Sequence, residues 1–206
     1  MNTDIPLILF AKVPEIGKVK TRLTPDMSLT EATEVAKVLL DESLSLAKVW
    51  PGNVVLAVWP NLENHFIQKM SSRYHVDTIQ QVKGDLGQKM FVAMETVGYP
   101  SAVMGCDAPH CSQQNLLTAY EKLSTGENVI GPTFDGGYYL LGLQHSIPEL
   151  FKRTRWGGHE VLTKSLSNAK NQGLSFSFLE KISDIDTYED LVEASKKLDV
   201  LKSFVK

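Results

Sequence analysis

The stretch that decides the fold is Ile5-Pro6-Leu7-Ile8-Leu9-Phe10-Ala11, followed at once by Lys12-Val13-Pro14-Glu15-Ile16-Gly17-Lys18-Val19-Lys20-Thr21-Arg22-Leu23. The first segment is a continuous apolar run, typical of a strand that is buried on both faces of a parallel sheet. Pro14 and Gly17 disfavour a helix in the second segment, which we interpret as a loop leaving the end of that strand. Open α/β sheets bind phosphate-bearing ligands at such strand ends.

The loop over residues 12–23 is strongly basic. Its four cations and one glutamate give it a local charge of about +3, whereas the whole chain has a formal net charge of -3. We interpret it as a phosphate-binding loop that includes Gly17. Lys20 and Arg22, two residues apart on an extended segment, face one side, and Lys12 reaches in from the strand end. Lys18 then points to solvent, and the alternative is a solvated lysine-rich surface loop. The spacing is not that of a P-loop.

Strand and helix signals alternate along the rest of the chain. We therefore predict an α/β fold, a three-layer α/β/α sandwich with a mixed, mostly parallel sheet, in one domain spanning residues 1–206. Predicted strands cover 5–11, 53–59, 74–80, 102–105, 128–131, 138–143 and 174–179. Predicted helices run from 29 to near 50 and over about 60–72, 113–123, 148–152 and 160–169, and another that carries Met90 to Val97 follows the break at 84–87. A last helix follows Thr187, and the predicted capping residues are Ser28 and Thr187.

Composition excludes several classes of protein. The chain has 206 residues, of which 43% are hydrophobic and 22% charged, enough for a substantial core. No apolar run is long enough to span a bilayer, and the first eleven residues lack the pattern of a leader peptide. A pI near 6 without a broad basic face argues against nucleic-acid binding. We expect a cytoplasmic protein with no membrane partner and a small anionic ligand.

Two aspartate positions are candidates for holding a divalent cation, Mg²⁺ or Mn²⁺. Asp107 directly follows a predicted buried strand, where a carboxylate faces the crevice at the sheet edge. The alternative, capping of the next helix, suits Ser112 better. Asp184 and Asp186 flank an isoleucine, so both point the same way on an extended segment, and either one could be the second metal ligand. Their alternative role is favourable interaction with the dipole of the last helix.

Other motifs could contact the substrates. Asp135, Gly136 and Gly137 join a carboxylate to two glycines that let a ligand approach the backbone, although Asp-Gly also signals a type I′ hairpin turn. Trp156 lies on a glycine-rich loop and is either an aromatic lid or a core anchor. Gly84, Asp85 and Gly87 are candidates for binding the nucleotide, and they could equally mark the start of a helix.

Cys106 and Cys111 flank His110. Two cysteines are too few for a disulfide framework, and a reducing cytosol keeps them as thiols. A zinc site built from Cys106, Asp107, His110 and Cys111 is a minor alternative, because so short a segment rarely surrounds a tetrahedral ion without a second pair of ligands.

Taken in order, these motifs resemble one family over roughly residues 5 to 195. They run from Phe10-Ala11-Lys12-Val13-Pro14 and Lys20-Thr21-Arg22-Leu23 through Gly84-Asp85-Leu86-Gly87, Gly105-Cys106-Asp107-Ala108-Pro109, Gly131-Pro132, Asp135-Gly136-Gly137-Tyr138 and Trp156-Gly157 to Asp184-Ile185-Asp186-Thr187. The family is DUF2064, a branch of the GT-A nucleotide-diphospho-sugar transferase superfamily provisionally classed as glycosyltransferases.

The resemblance implies a GT-A-like nucleotide-binding fold with a nucleoside triphosphate or nucleotide sugar in its crevice, and a divalent metal held at Asp107 and Asp186. The segment 186–191 is similar to the T-P-E-D-L segment of small nucleotidyltransferases, with Tyr188 in place of the usual proline. A single Asp107 stands where many glycosyltransferases show Asp-x-Asp. Gly158 and His110 also depart from the family pattern.

The sequence thus predicts a metal-dependent transferase, with Lys20, Arg22 and Asp107 as its catalytic residues. Its leading activity is nucleotidyl transfer from a nucleoside triphosphate to a small phosphorylated or hydroxylated acceptor. Glycosyl transfer from a nucleotide sugar and non-catalytic nucleotide binding are the alternatives. Nucleobase, acceptor and oligomeric state are not readable from the sequence.

Overall fold

The computed structural model describes residues 4–206 and contains one seven-stranded sheet in the order β3-β2-β1-β4-β6-β5-β7. The strands are β1 (Leu7–Lys12), β2 (Val54–Trp59), β3 (Asp77–Gln80), β4 (Ser101–Gly105), β5 (Val129–Pro132), β6 (Tyr138–Leu143) and β7 (Ser177–Phe178). All neighbours pair in parallel except β6, which runs antiparallel to both β4 and β5. The predicted mixed, mostly parallel sheet is confirmed.

Residues 4–206 form six α-helices. They are α1 (Leu29–Ala47), α2 (His65–Tyr74), α3 (Leu86–Val97), α4 (Gln113–Ser124), α5 (Val161–Lys170) and α6 (Tyr188–Ser195). One buried cluster joins α1, α2 and α4 to the sheet, and a second joins α3 and α5 to it. Apolar residues therefore fill both spaces between layers, and the predicted three-layer sandwich is confirmed.

The predicted helix starts at Ser28 and Thr187 are confirmed. Ser28 forms a capping box with Glu31, and Thr187 forms one with Asp190. Such reciprocal bonds satisfy two backbone N–H groups that the first turn leaves unpaired. Short 3₁₀ helices cover Thr21–Leu23, Pro148–Phe151 and Asp199–Phe204.

Some predicted boundaries are wrong. The helix predicted from Pro60 begins at His65, because the Asn64 side chain accepts hydrogen bonds from the first backbone N–H groups of that helix. Tyr74 ends α2 instead of beginning β3, since His75 adopts a left-handed conformation (φ 54°) that closes the helix. The last strand contains two residues, far fewer than predicted. Between residues 4 and 206, no helix combines the length and apolarity needed to cross a membrane.

Candidate functional site

A cleft of about 580 Å³ opens at the carboxyl ends of the central strands. Its apolar floor includes Phe10, Met90 and Val103, and its polar wall carries most of the side chains singled out in the sequence. The predicted site residues that line it are Lys12, Lys20, Arg22, Asp107, Asp135, Gly137, Trp156 and Asp186. Residues from five separate segments of the chain therefore meet in one cavity.

Lys20 connects the basic loop to the aspartate segments. Its backbone is left-handed (φ 47°), and its ammonium donates to the Ile185 carbonyl at 2.6 Å and lies 3.5 Å from Asp107 Oδ2. Only 13% of the side chain is exposed. The extended geometry predicted for Lys20 and Arg22 is wrong, because residues 21–23 form a 3₁₀ turn. Both cations nevertheless reach carboxylates in the cleft.

Arg22 forms an ion pair with Asp186, a predicted metal ligand. Lys18 pairs instead with Glu15 at 2.5 Å and is 63% exposed, in line with the solvent-facing position predicted for it. Gly17 has a positive φ of 75° and belongs to the turn of the loop, outside the cavity lining. Lys20 and Arg22 thus each lie against one of the protein's own aspartates.

Three carboxylates form a compact group. Asp135, Asp184 and Asp186 each offer an oxygen, and these oxygens lie within 4.8 Å of one another. Hard divalent cations such as Mg²⁺ and Mn²⁺ prefer carboxylate oxygens, so this donor set fits them. The sequence paired Asp186 with Asp107 and placed Asp135 on the acceptor side. In the structure Asp107 stands outside this group, next to Lys20, while Asp135 joins it.

Asp184 is partly buried and lies close to other carboxylates. Burial and the neighbouring charges of Asp135, Asp107 and Asp186 raise the pKa of Asp184 to about 6. A carboxyl group whose ionised form is disfavoured by burial and like charges gains from a cation nearby. Asp184 therefore has a physical reason to bind one.

The backbone of residues 182–186 is fixed from two sides. Ile182 forms a parallel bridge with Thr133 beyond the end of β5, and the Ile185 N–H donates to the Asp107 carbonyl at 3.1 Å. The Ile185 side chain is fully buried in a cluster with α1 and α6. Because Ile185 points into the core, Asp184 and Asp186 on either side of it both line the cleft.

The turn between β5 and β6 brings Asp135 to the carboxylate group. The Gly136 N–H donates to the Thr133 carbonyl, and Asp135 Oδ1 accepts from the Gly137 N–H at 3.0 Å. The type I′ alternative is wrong, because only Gly136 (φ 92°) has a positive φ in this turn. A Cβ at Gly136 would lie 2.1 Å from the His159 carbonyl oxygen, so this position needs glycine.

Trp156 is a half-buried anchor on the opposite wall. It lies in the cavity lining, and its ring packs 6.5 Å from that of Phe151, centroid to centroid. A Cβ at Gly87 would lie 2.3 Å from Trp156 Cζ2, so the glycine allows the indole to approach α3. The indole Nε1 is buried and has no hydrogen-bond partner among the described residues.

Gly84, Asp85 and Gly87 lie outside the cavity lining. The Asp85 carboxylate accepts from the Gln88 N–H at 2.8 Å and caps α3, so the structure has the helix start that the sequence offered as the alternative. Direct contact of these residues with a nucleotide stays a prediction.

Two contributors to the site escaped sequence analysis. A Cβ at Gly105 would lie 2.8 Å from Asp107 Oδ1, so this glycine lets the carboxylate fold back over the strand end. Lys89 places its ammonium over the Trp59 ring, 3.9 Å from the centroid, beside the cleft. Gly105 could have been suspected from its place before Asp107, whereas no sequence signal relates Lys89 to Trp59.

The structure gives no support to the zinc alternative. Burial raises the pKa of both the Cys106 and the Cys111 thiols to about 12, whereas zinc is bound by thiolates. Over residues 4–206, these cysteines and His110 do not form a group of three close donor atoms.

Solved structures share this fold over nearly the whole chain. A protein from Desulfovibrio desulfuricans G20, provisionally described as a nucleotide-diphospho-sugar transferase, is 24% identical with a TM-score of 0.84, and the match covers 99% of each chain. The 4-diphosphocytidyl-2C-methyl-D-erythritol synthase of Anaerococcus prevotii DSM 20548 is 10% identical with a TM-score of 0.65 over 95% of this chain and 96% of that one.

A third similar structure is the manganese complex of Rv0371c from Mycobacterium tuberculosis H37Rv. It is 15% identical with a TM-score of 0.61, over 95% of this chain and all of the other. Together these similarities define a nucleotide-diphospho-sugar transferase-like α/β fold. Residues 41–158 match the sequence model of DUF2064, described as uncharacterized proteins conserved in bacteria, and the chain belongs to this family. Comparison with curated proteins finds no match.

Proposed function

We propose that this chain is a divalent-metal-dependent transferase that moves a nucleotidyl group from a nucleoside triphosphate to a small phosphorylated or hydroxylated acceptor. The observation that carries the proposal is the meeting of cations and carboxylates in one cleft. Lys20 and Arg22 lie against Asp107 and Asp186, beside the group formed by Asp135, Asp184 and Asp186. Phosphate transfer needs both kinds of charge at one place.

In this proposal the carboxylates of Asp135, Asp184 and Asp186 hold Mg²⁺ or Mn²⁺, with Asp107 beside them. The bound ion neutralises charge on the phosphate oxygens of the donor. Three acidic side chains, two of them on the segment 184–186, offer more carboxylates than a magnesium ion usually takes from a protein, so one of them is free to contact the acceptor. Asp135 suits that role, because it is exposed and lies on the hairpin with Gly136 and Gly137.

The cations of the loop stabilise the leaving group. An acceptor oxygen attacks the α-phosphorus while the bond from that phosphorus to the pyrophosphate bridging oxygen breaks, and negative charge accumulates on the pyrophosphate. Lys20 and Arg22 exchange their aspartate partners for these oxygens, and the planar guanidinium of Arg22 can bind two of them at once. Lys12, exposed at the end of β1, adds a third cation. The chemistry is positioning and charge stabilisation, with no covalent intermediate on the protein.

Glycosyl transfer from a nucleotide sugar is the second candidate. The observation that favours it is the likeness to the Desulfovibrio desulfuricans protein, described provisionally as a nucleotide-diphospho-sugar transferase. The same cations would then stabilise a departing nucleoside diphosphate. The two activities differ in the product released from the donor.

Both candidates can be tested on the purified chain with a panel of nucleoside triphosphates and nucleotide sugars, each with Mg²⁺, Mn²⁺ or EDTA. A ligand that binds only the native state at 100 times its dissociation constant stabilises it by about 2.7 kcal/mol. We expect a triphosphate with metal to raise the melting temperature by several degrees, and pyrophosphate to be released when the acceptor is supplied. Release of a nucleoside diphosphate from a nucleotide sugar would instead establish the second candidate.

The variant Asp186→Asn tests the metal site, with Glu189→Gln on the exposed side of α6 as its matched control. We expect Asp186→Asn to weaken Mn²⁺ binding at least about 100-fold, beyond the usual effect of residues that only support a metal ligand. The control keeps wild-type affinity. Metal-independent nucleotide binding that survives Asp186→Asn would identify a non-catalytic nucleotide-binding module.

A further inference from the structure

A second group of cations lies at the ends of β1 and β2. Lys12 and Trp59 are register partners at the last pair of these parallel strands. Lys89, in the second turn of α3, holds its ammonium 3.9 Å from the centroid of the Trp59 ring. Lys12 lines the cleft together with Lys20 and Arg22, whereas Lys89 and Trp59 lie outside its lining, next to Lys12. Two lysines and an aromatic ring therefore meet at the edge of the cavity.

These two lysines are not neutralised. Within residues 4–206, neither Lys12 nor Lys89 has a carboxylate within ion-pair distance, whereas Lys18, Lys20 and Arg22 each have one. Burial and the nearby charge of Lys12 lower the pKa of Lys89. Like charges held together disfavour each other, and an anion between them removes that cost.

Backbone acceptors around the two lysines are already occupied. The buried Gln81 side chain donates from Nε2 to the carbonyls of Ala11 at 3.3 Å and Ala57 at 2.9 Å, and the Val13 N–H donates to the Trp59 carbonyl at 2.7 Å. These hydrogen bonds fix the strand ends that carry Lys12 and Trp59, so the backbone positions of both residues are set before any ligand arrives.

We propose that Lys12 and Lys89, with Trp59 as their platform, form a preformed anion subsite that binds a phosphoryl group of the substrates. This subsite is separate from Lys20, Arg22 and the aspartates that they contact. The nature of the substrate rests on the proposed function, but the binding of an anion does not. The phosphoryl group comes either from the terminal phosphate of the donor or from a phosphorylated acceptor.

The first test uses inorganic pyrophosphate in EDTA, so that neither metal nor nucleotide is needed. We expect the dissociation constant of the whole chain to rise about 5- to 10-fold in Lys89→Gln and in Lys12→Gln. A net hydrogen bond at a solvent-exposed position contributes a factor of about this size. Lys48→Gln is the matched control, because Lys48 also places its ammonium over an aromatic ring, 4.8 Å from Tyr74, but lines a groove with Asn53 beyond the start of β2. Equal affinities in the wild type and all three variants would overturn the subsite.

The chemical shifts of the tryptophan indole N–H groups give a second test, which does not require a change in affinity. The indole N–H resonance of Trp59 should move when pyrophosphate is added, while that of Trp50 stays fixed. Trp50 is 4% exposed, and its Nε1 donates to the Ile5 carbonyl at 2.7 Å, so it serves as an internal reference. A Trp59 resonance that is unmoved at saturation would contradict the proposal even if Lys→Gln variants bind more weakly.

Nucleotide binding measured with Mn²⁺ distinguishes a phosphoryl group of the donor from one of the acceptor. If the subsite takes the terminal phosphate of the donor, Lys89→Gln weakens triphosphate binding about 5- to 10-fold and leaves the monophosphate unaffected. If it takes the phosphate of the acceptor, Lys89→Gln lowers pyrophosphate affinity alone and leaves both nucleotides unaffected. Binding of pyrophosphate at Trp59 without binding of any nucleotide would retain the subsite and reject the nucleotide-dependent function.

Discussion

Two pairs of cations, one in the cleft and one at its edge, differ in how their charge is balanced. Lys20 and Arg22 are held by Asp107 and Asp186, whereas Lys12 and Lys89 have no carboxylate partner in the described chain. The first pair must release its aspartates before it can bind a phosphate. The second pair has no carboxylate to release, and Lys89 adds a contact to the fold through the Trp59 ring. The first pair thus serves both stability and binding through its aspartates, whereas the second pair meets an anion without breaking an ion pair.

The largest expected difference between the two pairs is the loss of stability caused by Lys20→Met. It removes the donor to the Ile185 carbonyl and the neighbour of Asp107 while keeping most of the apolar stem of a side chain that is 13% exposed. Hydrogen bonds that involve a charged group contribute about 1.5–3 kcal/mol, and for a chain of this size each kcal/mol shifts the melting temperature by about 2–4 °C. We expect a loss of about 4–8 °C, measured by calorimetry without ligand.

The matched variant for that experiment is Lys12→Met. Lys12 is exposed and makes no ion pair within residues 4–206, so its removal should change the free energy of unfolding by less than about 0.5 kcal/mol. Equal losses of stability in Lys20→Met and Lys12→Met would contradict the distinction between the two pairs.

Asp184→Asn tests the cost of crowding carboxylates. The pKa of Asp184 is raised to about 6 in the folded chain, above its ordinary value near 4, so the folded state binds this proton more tightly. Stability is therefore lost as the pH rises from about 4 through about 6 and stays lower above that. Allowing for solvent screening, we expect Asp184→Asn to stabilise the metal-free chain by about 1–2 kcal/mol at pH 7.5.

The same substitution should have little effect near pH 3, where Asp184 is mostly protonated in both the folded and the unfolded chain. Melting temperatures of both proteins across this pH range, in EDTA, provide the measurement. Asp199→Asn is the control, because Asp199 is an exposed carboxylate paired with Lys202, which lowers its pKa. A stabilisation by Asp184→Asn that does not vary with pH would rule out charge crowding as its cause.

The smallest expected effect on ligand binding is that of Arg22→Gln, which tests whether Arg22 exchanges Asp186 for phosphate oxygens. Arg22 is 66% exposed, and such surface pairs contribute at most about 1 kcal/mol. Freeing Asp186 should therefore tighten the binding of Mn²⁺ alone by no more than about fivefold, while triphosphate binding becomes weaker. Opposite signs for the two ligands, measured by calorimetric titration, are the expected signature. Weaker binding of both would show that Arg22 does not compete with the metal.

Local patterns made much of this site predictable. The apolar run 7–11 and the capping boxes at Ser28 and Thr187 specify their elements through nearby residues alone. Asp107 could be placed because it directly follows a buried strand. These features need only short-range information, which the sequence displays directly.

Long-range packing made the rest unpredictable. Asp135 joins Asp184 and Asp186 only because residues 182–186 run beside the end of β5, and nothing near Asp135 encodes that pairing. Lys89 meets Trp59 for a similar reason, since α3 must first pack beside the end of β2. The extended geometry assumed for Lys20 and Arg22 failed because the left-handed backbone of Lys20 begins a 3₁₀ turn.

The reversed direction of β6 makes one wall of the cleft modular. Because β6 is antiparallel to β5, five residues (133–137) suffice to connect the two strands, and they do so at the end of the sheet where the ligands are expected. A parallel strand would have required a helical crossover of a dozen or more residues. The hairpin can therefore be lengthened without rebuilding a crossover helix, provided that the Gly136 carbonyl still accepts from the Leu162 N–H in the first turn of α5.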